Sequence, residues 1–157
     1  MYKRMNEQLQ TEGAMALVTG ASSGIGLAYA RELARRGYDL LLVSNEQERI
    51  GKLAAAFGVK TIPLCMDLAR SEAARELYDY CEREKLQIGI LVNNAGIFFF
   101  DDLTEVAPER IETMLLLHIR TVTLLCRYFG AAMKRRRAGY ILNMSSLSAW
   151  TPAPGIS

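Results

Sequence analysis

Four apolar runs of strand length punctuate this chain without the polar alternation of a half-exposed sheet: Met15 to Val18, Leu40 to Val43, Ile88 to Val92 and Tyr140 to Met144. A fifth, Val59 to Met66, is interrupted by Pro63. Unbroken apolar runs belong to strands covered on both faces, and here each is separated from the next by residues of helical period. Ile25, Tyr29 and Leu33 recur at every fourth position until Gly37 ends the pattern. A second helix is predicted from Glu46 to Phe57, with Gly58 as its stop. Ser71 is placed to cap a third that runs to about Glu84, and Pro108 to open a long fourth reaching Met133 or Lys134.

Strands alternating with helices predict an α/β fold whose parallel sheet is covered on both faces. Right-handed crossovers make it a doubly wound, Rossmann-type sheet of strand order 3-2-1-4-5. Pro63 cannot donate to a ladder, which puts the third strand at an edge. Ligands of such sheets sit beyond the carboxyl ends of the strands, beside strand one. The stretch TGASSGIG, Thr19 to Gly26, lies there. Its three glycines, Gly20, Gly24 and Gly26, join a buried strand to a helix start, where free N–H groups and the helix dipole suit an anion such as pyrophosphate. No lysine follows the last glycine, so a Walker-type phosphate loop is disfavoured.

Composition narrows the setting. Half of the 157 residues are hydrophobic, enough for one domain to bury about two thirds of its unfolded surface. No stretch approaches the roughly 18 consecutive apolar residues of a membrane span, and the opening MYKRMNEQLQTEG is too polar for a signal peptide. The expectation is a soluble cytoplasmic protein with no membrane partner. A formal charge of +2 gives no general field for nucleic acid. The run Lys134, Arg135, Arg136 and Arg137 reads as solvated cations at a helix end, complementing its negative pole, with a polyanion site as the alternative. Cys65, Cys81 and Cys126 lack the spacing of a zinc or dithiol site and read as reduced, mostly packed thiols, and no metal is expected.

Four segments, in order, resemble the short-chain dehydrogenase/reductase family: TGASSGIG, MDLA (Met66 to Ala69), NNAG (Asn93 to Gly96) and YILNMSS (Tyr140 to Ser146). The resemblance implies that Gly20, Ser22, Ser23, Gly24, Ile25 and Gly26 line the pyrophosphate and adjacent ribose of a dinucleotide. It implies that Asp67 and Leu68 flank the adenine, and that Asn93, Ala95 and Gly96 border the adenosine ribose. Asp67 has a plainer reading beside this one, since an aspartate after a strand often bonds its own turn. An acid at the end of strand two would bind the ribose hydroxyls of NAD, and an arginine the 2′-phosphate of NADP. Ser44 and Asn45 stand there and are neither, which tilts the expectation to NADP(H) over NAD(H).

The resemblance also implies an oxidoreductase moving hydride between NAD(P) and a carbonyl or secondary alcohol, of the 3-oxoacyl or general ketone reductase kind. Ser146 matches the serine that polarises the substrate carbonyl. The family's Tyr-x-x-x-Lys motif would begin just past Ser157, and the last strands of the family's seven-stranded sheet would follow it. Residues 14–157 therefore read as a C-terminally incomplete dinucleotide-binding domain after an N-terminal extension, 1–13, and as inactive alone. His118 stands where the family carries an asparagine in its proton relay. On the stripe Ile111, Leu115, His118, Val122, Leu125 and Phe129 it reads as a neutral core histidine bonded to backbone near strand four, with a relay role as the alternative. The family's long helix usually builds a homo-oligomer, a dimer or tetramer. The competing reading is a nucleotide-binding or regulatory module without chemistry of its own.

Overall fold

The computed structural model describes residues 13–146 and Trp150, so the expected extension lies, but for Gly13, outside the described residues. Five parallel strands form one sheet in the order β3-β2-β1-β4-β5: β1 Met15–Thr19, β2 Leu40–Ser44, β3 Thr61–Cys65, β4 Ile88–Asn93 and β5 Tyr140–Asn143. The predicted order is the observed one, and Pro63 sits on the edge strand.

Alternate side chains of the central strands feed two cores, one on each face. Leu17, Leu41, Val43 and Leu91 pack with Leu77 and Cys81 of α3 (Ala73–Arg83) and with Leu125 and Phe129 of α5 (Val122–Arg136). Ala16, Val18, Leu40, Leu42 and Val92 pack with Ala30 of α1 (Gly24–Arg35) and Ile50 of α2 (Gln47–Ala54). This double coverage is why the runs carry no polar alternation. Gly37, at φ 84, stops α1 as expected, its N–H reaching the Ala34 carbonyl at 2.8 Å.

Several helix expectations are corrected. The buried line of α1 is Gly26 and Ala30, while Ile25 is 57% exposed at the helix start. The second helix ends at Ala54 rather than Phe57, because the Ala56 N–H bonds Leu53 O at 3.0 Å and tightens the last turn. Ser71 is not the cap of α3; Glu72 holds that position without a side-chain cap bond, and the Ala73 N–H is already taken by Arg70 O at 3.2 Å. The long helix is α4 (Pro108–Leu115), a π-helical segment (Leu116–Thr121) and then α5, which continues to Arg136. The extra residue of the π segment moves the inward line to Leu117, Thr121, Leu125 and Phe129. Leu115 is 47% exposed as a result, and His118 is exposed too. In the basic run, Arg136 is half-buried rather than solvated, its guanidinium donating to Ile88 O at 2.7 Å.

Candidate functional site

The carboxyl ends of β1 and β4 are tied together by one side chain. The buried Thr19 hydroxyl accepts the backbone N–H of Asn94 at 2.9 Å and of Ala95 at 3.0 Å, and it donates to Val92 O at 3.3 Å. In return, the Asn94 side-chain amide donates to Thr19 O at 3.0 Å and Gly20 O at 3.3 Å. The loop between β1 and α1 is thus pinned to the segment after β4.

That pinning leaves no room for side chains at two glycines. A Cβ at Gly20 would stand 2.8 Å from Ala95 Cα, and one at Gly26 would stand 2.2 Å from Gly20 O and 2.5 Å from Asn94 Nδ2. Gly24, at φ 52, faces open space instead. The first N–H groups of α1 follow Ser23, whose side chain makes no cap bond to them. They are orphan donors at the positive end of a helix dipole.

Between this loop, the end of β2 and the segment after β4 lies a cleft of about 500 Å³. Gly20, Ser22, Ser23, Gly24 and Ile25 line one end of it. Ser44, Asn45, Asp67 and Leu68 line another part, and Ala95 and Gly96 a third. Two of the expected residues are not brought to it. Gly26 is buried behind the loop, its role being the close approach of helix to strand. Asn93 is buried with its amide turned to β5, donating to Asn143 Oδ1 at 2.8 Å, with Cys126 Sγ at 3.5 Å. It sits on the rung opposite Asn143, so the strand pleat turns it away from the cleft.

Residues outside the motifs also line the cleft, Glu46, Ile97, Phe98 and Leu117 among them, as does Asn94 of the NNAG segment, which carried no site expectation of its own. A signal for Glu46 existed, since it is the first acid after strand two and lies about 20 residues beyond the last glycine of the loop. The Glu46 N–H is held by the buried Ser44 hydroxyl at 3.2 Å, which fixes the turn into α2. Asp67 does what its plainer reading expects as well, one carboxylate oxygen accepting the Ala69 N–H at 2.9 Å. Among the described residues lining the cleft there is no lysine or arginine. An anion bound there would be held by backbone N–H groups, and the glycine-walled loop fits a pyrophosphate in that manner.

Ser146 is exposed and follows β5 at the same end of the sheet. His118 is not a core residue: its exposed ring packs at Gly96, where a Cβ would lie 2.9 Å from His118 Cε1. Its Nε2 lies 2.9 Å from Ile97 N and 2.8 Å from Ile97 O, so it accepts in one tautomer and donates in the other. The expected bond to backbone near strand four is therefore present without the expected burial. Neither Ser146 nor His118 lines the cleft itself.

Residues 14–157 match the family described as short chain dehydrogenase. The chain is 37% identical over 153 residues to the very-long-chain 3-oxoacyl-CoA reductase of Anas platyrhynchos, covering 90% of this chain and 48% of that protein. It is 35% identical over 152 residues to the 17-beta-hydroxysteroid dehydrogenase type 3 of Mus musculus, covering 93% and 49%. Among solved structures, a short-chain dehydrogenase from Sphingobium yanoikuyae in complex with NADPH superposes with a TM-score of 0.84 at 35% identity, covering 90% of this chain and 57% of that one. A metagenomic short-chain oxidoreductase in complex with NADP gives 0.81 at 30%, covering 91% and 66%. The chain spans about half the length of the curated relatives it matches.

Proposed function

Because the chain belongs to the short chain dehydrogenase family, we propose that the protein is an NAD(P)-dependent oxidoreductase acting on a carbonyl or secondary alcohol, with NADP(H) preferred and a 3-oxoacyl thioester or bulky ketone as substrate. The observation that carries the reading is the glycine-walled loop locked to Asn94 and Ala95, which presents bare backbone to a cleft large enough for a dinucleotide. The named reductase and the NADPH and NADP complexes among its relatives support the substrate class and the cofactor.

When bound, the nicotinamide cofactor supplies or takes the hydride. Gly20, Ser22, Ser23, Gly24 and Ile25 hold its pyrophosphate side, while Asp67 and Leu68 flank its adenine. The Ser146 hydroxyl donates to the substrate carbonyl oxygen and stabilises the charge developing there. No Tyr-x-x-x-Lys occurs among the 157 residues, and these residues on their own would hold the cofactor without supplying that proton donor. The exposed Leu115 and Ile119 support a homo-oligomer.

The test follows NAD(P)H absorbance with a panel of ketones and 3-oxoacyl thioesters, using the protein expressed with whatever coding sequence follows Ser157. Turnover that Ser146→Ala lowers by about two or more orders of magnitude supports the proposal. Tight cofactor binding with no turnover on any substrate would favour the second reading, a regulatory nucleotide-binding module, which His118 in place of the family's relay asparagine motivates.

A further inference from the structure

A second cavity, of about 370 Å³, lies between α1 and the chain that follows α2. None of its lining residues belongs to the first cleft, and it opens beside Val59, at the entrance to β3 rather than beyond the strand ends. α2 stops at Ala54 and the chain turns through Gly58 before the strand begins, which leaves this hollow against the last turns of α1. Its floor is apolar: Ala34, Phe57 and Val59 are half-buried and rest on the second core, with Leu53 beside them. Its rim carries Arg31 and Arg35, and no acid lines it among the described residues. Glu32 serves two guanidiniums at once, Arg35 at 2.8 Å and Arg36 at 2.7 Å. The negative poles of the two helices have Arg35 and Lys52 in their last turns. Arg31 is exposed and has no ion-pair partner among the described residues.

An apolar floor backed by packed side chains, with one uncommitted guanidinium on its rim, is complementary to a molecule that has an apolar body and an anionic head. We propose that this cavity binds an amphipathic carboxylate, its alkyl or aryl body over Leu53, Phe57 and Val59 and its carboxylate on Arg31. A multiply charged phosphate would leave the floor uncovered, and a neutral hydrocarbon would make no use of Arg31. The volume falls within the roughly 300–1,000 Å³ of small-molecule sites. The cavity shares no residue with the dinucleotide cleft, so the proposal stands independently of that reading.

The test titrates octanoate, octan-1-ol and acetate into the purified protein by calorimetry, for the wild type, Arg31→Gln and Gly58→Phe. Arg31 is exposed, and a Cβ at Gly58 meets nothing within 4 Å, so both variants keep the fold, which circular dichroism verifies. Octanoate is expected to bind the wild type about tenfold or more tightly than octan-1-ol or acetate, since it alone satisfies both floor and rim. Arg31→Gln is expected to weaken octanoate by roughly fivefold or more and to leave octan-1-ol unchanged. Gly58→Phe puts a ring against the floor and is expected to weaken both alkyl compounds. Octanoate affinity equal to the wild type in either variant, or no preference for octanoate over octan-1-ol, overturns the site. NADPH affinity is expected to be the same in all three proteins; its absence from the wild type would overturn the cleft reading and leave this one standing.

Discussion

One oxygen joins two strand ends: the Thr19 hydroxyl receives the Asn94 backbone N–H at 2.9 Å, and the neighbouring Ala95 N–H at 3.0 Å. Thr19 is 2% exposed, so no water replaces that oxygen when it is removed. Thr19→Val keeps the shape and strands two donors. It is expected to cost about 2–4 kcal/mol in urea unfolding and to weaken cofactor binding, because the loop loses its anchor. Thr19→Ser keeps the oxygen and is expected to retain most of both.

The glycines of the loop separate by function. Gly24→Val places a side chain where nothing stands within 4 Å, at a φ of 52 that costs a β-branched residue some strain. Dinucleotide affinity is expected to vanish in titration calorimetry while the thermal transition stays cooperative. Gly26→Ala meets Gly20 O and Asn94 Nδ2 instead, and is expected to lower the melting temperature even without ligand.

Asn45 is exposed on the cleft wall at the end of β2. Asn45→Arg adds a cation that no residue lining the cleft now provides. NADPH affinity relative to NADH is expected to rise by about tenfold, read as a ratio of dissociation constants. An unmoved ratio would mean that the ribose lies elsewhere.

Burial raises the Cys81 thiol from its ordinary value near 9 to about 12, with the Glu82 charge adding to the effect. The folded state thus favours the protonated thiol. Its contribution to stability is complete below about pH 9 and is lost as pH rises from there toward 12. At pH 8 an aromatic disulfide reagent is expected to label the exposed Cys65 promptly and Cys81 only after denaturant is added.

The sheet was legible because its signal is local and redundant: Leu40, Leu41, Leu42 and Val43 are all fully buried, so each reports the same thing. The cleft wall was legible where a motif is a backbone requirement, as at Gly20 and Gly24. Asn93 was not, because a motif specifies residue type and the strand pleat decides direction, which here is toward Asn143. Ser71 fits a cap by type, yet the cap position falls one residue later, at Glu72, and the Ala73 N–H is taken by a local backbone turn to Arg70 O. Glu46 is not legible from the strand-end rule, which reads Ser44 and Asn45; it reaches the cleft from the N-cap position of α2, two residues beyond the strand.

The π segment from Leu116 to Thr121 is a helix that has absorbed one residue too many for regular winding. Its two neighbours therefore run out of phase by about 100°, the angle one residue spans in an α-helix. Deleting a single residue there would restore an unbroken α-helix and rotate α4 against α5 by that amount, carrying His118 away from Ile97 while leaving the strands where they are. The position thus works as a vernier: a change of one residue in length, with no change of composition, re-aims everything between Pro108 and the segment beside the cleft.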